Sequence, residues 1–136
     1  MTLLIVDASV VLAREDPDDA NHAHVTTLLE RTDPVATLDL AYYEVTNVAV
    51  RAWKDPAALK RLLERLDAIA ADGGIFSVSP ELISAAVGLA DRHGISVYDA
   101  AYVAAAEAGS GVLASCDIRD LVSRGLARSP ADLIGA

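Results

Sequence analysis

The chain has 136 residues, which suits one domain and leaves no room for two. Its hydrophobic fraction of 53% and charged fraction of 23% support a sizeable core and exclude a disordered chain. The net charge of −9 argues against a simple nucleic-acid binder with a basic surface, although it permits a nuclease whose carboxylates hold cations.

Three features favour a cytoplasmic protein that does not contact a membrane. Neither a basic segment nor a long apolar run precedes Asp7, so we expect no signal peptide. The apolar stretch 100–106 is too short to cross a bilayer. Cys116 is the single cysteine and cannot form an internal disulfide bond.

Short apolar runs alternate along the chain with longer stretches of helical spacing. In order, the sequence predicts a strand at 3–6, helices at 7–14 and about 18–31, a strand at 35–37, helices at 38–53 and 56–72, a strand at 75–78, helices at 80–93 and 98–108, a strand at 111–114 and a short helix at 117–123. This alternation favours a single α/β domain over residues 1–136, with a mostly parallel sheet covered by helices on both faces.

Ligands bind beyond the carboxyl ends of the strands in such sheets. Asp7 directly follows the first predicted strand, and Asp117 follows the last one after two further residues. We therefore expect both carboxylates at the rim where chemistry takes place. As an alternative, each of the two residues is only a helix N-cap, a position that Asp favours.

Two further carboxylates lie on predicted helices. Glu44 is in mid-helix, beside an inward stripe predicted from Leu40, Tyr43, Asn47 and Val50. A carboxylate there is costly unless it is paired, hydrogen-bonded or bound to metal, or unless it reaches solvent from the helix edge. Asp99 begins the helix that follows Ser96, where a capping box formed by these two residues is the structural alternative.

Four carboxylates that converge at one corner of the sheet need a cation. At about 5 Å each pair repels by roughly 3 kcal/mol at an effective dielectric near 20. Carboxylate oxygens are hard ligands that suit Mg²⁺ or Mn²⁺. The sequence contains no competing Cys/His grouping, because His22, His24 and His93 are interpreted as surface or capping residues and Cys116 as a core residue.

Four segments resemble the motifs of VapC toxins, a branch of the PIN-domain superfamily. They are Val6-Asp7-Ala8-Ser9-Val10, Glu44-Val45-Thr46-Asn47-Val48, Val97-Tyr98-Asp99-Ala100-Ala101-Tyr102, and Leu113-Ala114-Ser115-Cys116-Asp117 followed by Leu121. The resemblance covers nearly the whole chain, in the family's order and at its usual length.

The resemblance implies a five-stranded parallel α/β sheet and an endoribonuclease that depends on Mg²⁺ or Mn²⁺. The implied catalytic and metal-binding quartet is Asp7, Glu44, Asp99 and Asp117. Ser9 and Ser115 would support it, and Asn47, one turn after Glu44, would orient that side chain. Asp120 is interpreted as auxiliary or as plain surface. Arg14 and Arg119 are candidates for contact with the RNA backbone, with solvated charges as the alternative.

The family also implies partners, namely an RNA substrate, a VapB-type antitoxin whose tail covers the active site, and a second copy in a homodimer. Two other functions compete with this interpretation. A receiver domain would need a lysine after a late strand, whereas the lysines are Lys54 and Lys60 in the helical middle. A catalytically inactive PIN-like module that binds RNA or protein is the second alternative.

Overall fold

The computed structural model describes residues 2–136, in which a central parallel sheet lies between two layers of helices. The strands are β1 (Leu4–Val6), β2 (Val35–Leu38), β3 (Gly74–Phe76) and β4 (Val112–Ala114). The helices are α1 (Ala8–Glu15), α2 (His22–Leu29), α3 (Leu40–Val48), α4 (Pro56–Ala71), α5 (Pro80–His93), α6 (Val97–Ala108) and α7 (Pro130–Leu133). Wider π-helical turns occur at Ala49–Trp53, which continues α3, and at Ile118–Val122.

The order of the strands separates the helices into two layers. Across the sheet the order is β3-β2-β1-β4, and all neighbours are parallel. The chain moves from β1 to β2 to β3 in one direction and then returns past β1 to β4. Because such crossovers are right-handed, α1–α4 lie on one face and α5 and α6 on the other. The predicted α/β fold with helices on both faces is confirmed.

The expected five strands are four in the part of the chain that the structure describes. The place of a fifth strand beside β4 is taken by a single bridge between Ala114 and Arg128. Ser129 caps α7 immediately afterwards, and Pro130 stands at the first position of that helix. Proline lacks the N–H that a longer ladder would need, so the pairing stops after one residue.

The predicted inward stripe of α3 is wrong. Tyr43 is 79% exposed and Val50 57% exposed, and Asn47 is also exposed. The buried positions are Ala41 and Val45, followed by Ala49 in the π-helical turn. These small side chains let α3 pack closely against α1 and α4, while the large apolar residues of the other face remain at the surface.

Local capping explains where several helices begin and end. The Ser79 hydroxyl accepts a hydrogen bond from Leu82 N at the start of α5, and Gly94 closes this helix with a φ of 65°. Asp55 caps α4 in front of Pro56. The second helix is shorter than predicted, covering His22–Leu29, because residues 17–21 form turns and a bend. Between Thr2 and Ala136, no helix combines the length and the apolar character that a membrane span requires.

Candidate metal centre

The carboxyl ends of β1 and β4 are adjacent at the centre of the sheet. The chain leaves β1 toward one edge of the sheet and enters β4 from the opposite face, so their ends form a topological switch point. A crevice at such a point is the usual ligand site of an open α/β sheet. Asp7 directly follows β1, and Asp117 follows β4 after two residues, so both lie at this crevice as expected.

Asp7 is buried, with 6% of its surface exposed, and both of its carboxylate oxygens are hydrogen-bonded. Oδ1 accepts hydrogen bonds from the Ser9 hydroxyl at 2.5 Å and from Val10 N at 3.2 Å. Oδ2 accepts one from the Ser115 hydroxyl at 2.5 Å. Burial raises the pKa of Asp7 to about 6, although these three donors oppose the increase, and the charge of Glu44 adds to it.

The two serine hydroxyls connect Asp7 to the loop after β4. Cys116 N donates to the Ser9 hydroxyl at 3.0 Å, and Asp117 N donates to the Ser115 hydroxyl at 3.0 Å. Each serine therefore accepts from the backbone of the loop and donates to the buried carboxylate. This pattern fixes the ends of β1 and β4 relative to one another.

Asp99, Asp117 and Asp120 form a group of carboxylates that could hold a metal ion, and we call it the acidic cluster. One oxygen from each lies within 4.8 Å of the others, and each side chain is half-buried. Asp120 was expected to be auxiliary or a surface residue, yet it is a full member of this cluster. The spacing of three residues between Asp117 and Asp120 was a usable signal, because an N-cap residue lies next to the residue three positions later, whose N–H it accepts.

Capping explains only part of this arrangement. Asp7 and Asp117 do cap, since they accept hydrogen bonds from Val10 N and Asp120 N. Ser96 caps α6 by accepting from Asp99 N at 3.0 Å. The Asp99 carboxylate lies in the acidic cluster. Burial and then the charges of Asp117 and Asp120 raise its pKa.

Glu44 approaches from α3 and connects the cluster with Asp7. Its carboxylate is half-buried, and Oε1 accepts a hydrogen bond of 2.6 Å from the Tyr102 hydroxyl. Burial raises the pKa of Glu44, and the charge of Asp99 adds to the effect. Sequence reasoning quoted Tyr102 in a motif but assigned it no role.

The donor set of the acidic cluster fits a hard divalent cation. At 4.8 Å, each like-charged pair repels by about 3 kcal/mol at an effective dielectric of about 20. Arg119 offsets little of this, because its side chain is 93% exposed and its Nε lies 4.0 Å from Asp120. Three carboxylate oxygens are the ligands that Mg²⁺ and Mn²⁺ prefer.

Some of the residues proposed from the sequence lie away from the cluster. Asn47 is exposed on α3, and its side chain does not contact Glu44 through any hydrogen bond found in residues 2–136. Arg14 is in the last turn of α1, at the opposite end of that helix from Asp7. Cys116 is half-buried, and burial beside Asp7 raises its pKa to about 12, so the thiol is a poor nucleophile at neutral pH.

An exposed apolar groove of about 560 Å³ lies beside the site, between α3, α5 and α6. Its most exposed apolar side chains are Tyr43, Val78, Ile83, Val97 and Tyr98. Tyr98 directly precedes Asp99, so the groove adjoins the acidic cluster. Exposed apolar surface of this kind is typical of contact with another macromolecule.

Comparisons with known proteins agree with this architecture. The family model described as PIN domain matches residues 4–124. The chain is 35% identical to ribonuclease VapC3 of Pyrobaculum aerophilum over 118 residues, which cover 84% of this chain and 88% of that protein.

Two solved structures have the same fold. A toxin–antitoxin complex from Klebsiella pneumoniae has a TM-score of 0.73 at 16% identity, over 93% of this chain and 97% of that one. VapC20 of Mycobacterium tuberculosis, described as a toxin that cleaves the sarcin-ricin loop, has a TM-score of 0.66 at 21% identity, over 82% and 86%. The resemblance predicted from the four motifs is confirmed. The chain therefore belongs to the PIN-domain family and, by its identity with VapC3, to the VapC branch of that family.

Proposed function

We propose that this protein is a metal-dependent endoribonuclease and the toxin of a VapBC-type toxin–antitoxin pair. The observation that carries the proposal is the acidic cluster, in which oxygens of Asp99, Asp117 and Asp120 lie within 4.8 Å of one another at the switch point of a PIN fold. Its kinship with a protein named ribonuclease VapC3 supports RNA as the substrate.

The proposed roles follow from the position of each carboxylate. Asp99, Asp117 and Asp120 would hold Mg²⁺ or Mn²⁺ directly. Glu44 and Asp7 would complete the site, either as ligands or through water molecules. When bound, the cation would polarise a phosphodiester and make a water molecule a better nucleophile, so the protein needs no nucleophile of its own.

The remaining residues would keep this geometry fixed. Ser9 and Ser115 hold both oxygens of Asp7, which favours its charged form against the penalty of burial. The exposed Arg119, on the turn that carries Asp120, is available to an RNA phosphate. Contact of Arg14 with RNA remains a prediction, as does an effect of Asn47 on the orientation of Glu44, to which it donates no hydrogen bond in residues 2–136.

Cleavage of RNA by the purified protein tests this function. Activity should require Mg²⁺ or Mn²⁺ and disappear with EDTA. Asp99→Asn and Asp117→Asn should each abolish cleavage while the far-ultraviolet circular dichroism spectrum is retained. Asp67→Asn, which changes an exposed carboxylate on α4, is the matched control and should cleave normally. Full activity of both cluster variants in EDTA would refute the proposal.

The inactive PIN-like module predicts another result from the same experiment. Such a protein would bind Mn²⁺ but would leave RNA intact at every metal concentration. The arrangement of the carboxylates favours the nuclease, since all four residues of the quartet are present and Asp120 adds a fifth.

We also propose two protein partners, a VapB-type antitoxin and a second copy of the chain. The exposed apolar groove supports a protein contact beside the site. Light scattering of the purified chain should give twice the monomer mass. Co-expression with the product of an adjacent small gene should yield a complex in which RNA cleavage is suppressed.

A further inference from the structure

The hydroxyl of Tyr102 is buried and donates a hydrogen bond to a carboxylate of the site. Tyr102 is 2% exposed, so water does not satisfy its proton. A buried hydroxyl needs a partner, and this one donates to Oε1 of Glu44 at 2.6 Å. The bond joins residues 58 positions apart, from α6 to α3, across the crevice.

The same helix supplies a cluster carboxylate. Asp99 and Tyr102 are three residues apart on α6, so their side chains leave the helix on one face. Asp99 lies in the acidic cluster, while Tyr102 holds the carboxylate of Glu44 beside it. The hydrogen bond therefore ties the Glu44 carboxylate to the helix that carries Asp99.

We propose that Tyr102 is a positioning residue that holds the Glu44 carboxylate in the orientation in which it faces the metal, an inference that depends on the proposed metal site. Glu44 has three rotatable side-chain bonds and comes from a different helix than the cluster. The hydrogen bond uses Oε1 and leaves Oε2 free for a cation or for the water around it. The ordering of Glu44 thus precedes metal binding and removes an entropic cost from it.

Burial and the nearby carboxylates keep the proton on the Tyr102 hydroxyl. Burial and the carboxylates of Glu44 and Asp7 raise the pKa of Tyr102 far above its ordinary value of 10.0. Tyr102 therefore acts toward Glu44 as a hydrogen-bond donor, in agreement with the 2.6 Å contact.

Direct measurement of Mn²⁺ affinity by electron paramagnetic resonance tests this role without RNA. Tyr102→Phe should weaken Mn²⁺ binding by roughly 10-fold, the range found when the partner of a metal ligand is removed. Tyr42→Phe is the matched control, because it removes the hydroxyl of a half-buried tyrosine on α3 that donates no hydrogen bond within residues 2–136. Its affinity should equal that of the wild type.

A double-mutant cycle separates positioning from general support of the fold. In the Glu44→Ala background, Tyr102→Phe should change Mn²⁺ affinity by less than twofold, because its partner is gone. An equal loss in both backgrounds, or unchanged affinity of Tyr102→Phe alone, would overturn the role of Tyr102. Absence of Mn²⁺ binding by the wild-type protein would instead refute the metal site itself, and this role with it.

A second measurement applies if Tyr102→Phe does not fold. In protein labelled with 3-fluorotyrosine, addition of Mg²⁺ should shift the fluorine resonance of Tyr102, which is assigned by replacing the other three tyrosines. The shift should vanish in Glu44→Ala. A shift that persists there would contradict transmission through Glu44.

Discussion

Ser115 and Asp7 are 108 residues apart in the chain and are joined by a 2.5 Å hydrogen bond from the Ser115 hydroxyl to Asp7 Oδ2. The same hydroxyl accepts from Asp117 N, so one fully buried atom connects a strand end with the loop that carries two cluster residues. The site and the core are therefore coupled, because loss of this hydroxyl would disturb both the buried Asp7 and the loop that carries Asp117.

Ser115→Ala should reduce the free energy of unfolding by about 2 kcal/mol, since it leaves a buried acceptor and a backbone donor without partners. Urea unfolding of the metal-free protein at neutral pH measures the effect. Ser123→Ala, at an exposed position, should cost less than about 0.5 kcal/mol. Equal losses in the two variants would contradict the coupling.

The stability of the metal-free protein should depend on Asp7 and pH. The pKa of Asp7 is about 6 in the fold and 3.8 ordinarily, so the folded chain binds this proton more tightly than the unfolded chain. Its contribution to the free energy of unfolding therefore falls as pH rises from about 4 to 6, by up to about 3 kcal/mol, and is constant above.

Asp7→Asn removes this titration. In EDTA the variant should be more stable than the wild type at pH 7.5 and closer to it at pH 4, as followed by urea unfolding at both values. A variant that is less stable at pH 7.5 would show that the charged form of Asp7 is not destabilising.

Asp120→Asn distinguishes a cluster ligand from a surface carboxylate. We expect Mn²⁺ binding to weaken by about 10-fold, while metal-free stability is unchanged or higher because a like charge is removed. Isothermal titration calorimetry measures the affinity. Asp132→Asn, at an exposed position in α7, should bind like the wild type, and so should Asp120→Asn if that residue is only surface.

Two glycines differ in the space that a side chain would find around them. A Cβ at Gly111 would lie 2.6 Å from the Leu3 carbonyl oxygen, so Gly111→Ala should destabilise the fold by about 1 to 3 kcal/mol. Gly88, in α5, has open space around it, and Gly88→Ala should stabilise the protein by up to about 1 kcal/mol. Thermal unfolding of both variants gives the comparison, and effects of the same sign would contradict it.

The sheet was predictable from the sequence because its strands are short apolar runs bounded by polar turns. Leu3-Leu4-Ile5-Val6 followed by Asp7 shows this clearly, and the structure places β1 there. Capping signals such as Ser79-Pro80 also gave correct helix starts. At Arg128 the pairing is reduced to one bridging residue, and no run of apolar residues marks it. The sequence therefore could not show whether a fifth strand forms there.

The buried side of α3 was predicted wrongly, because the prediction considered only how hydrophobic each side chain is. Tyr43 and Val50 are apolar, yet they are exposed and leave the core to Ala41 and Val45. The hydrogen bond from Tyr102 to Glu44 could not be predicted either, because the two residues are 58 positions apart in the sequence. Asp120 carried a local signal, its spacing from Asp117, which was outweighed by how common exposed aspartates are.

The bridge at Arg128 gives the segment 128–136 a structural role at the site, although none of the proposed ligands lies in that segment. Arg128 N donates to Leu113 O, and Ser115 N donates to Arg128 O. Arg128 therefore holds the residues before and after Ala114, at the end of β4. A protease cut in the exposed turn at 123–125 would leave these two hydrogen bonds between separate fragments, so Ser115 would be held less firmly against Asp7. Cleavage at this turn would therefore weaken the geometry of the site without removing any of its carboxylates.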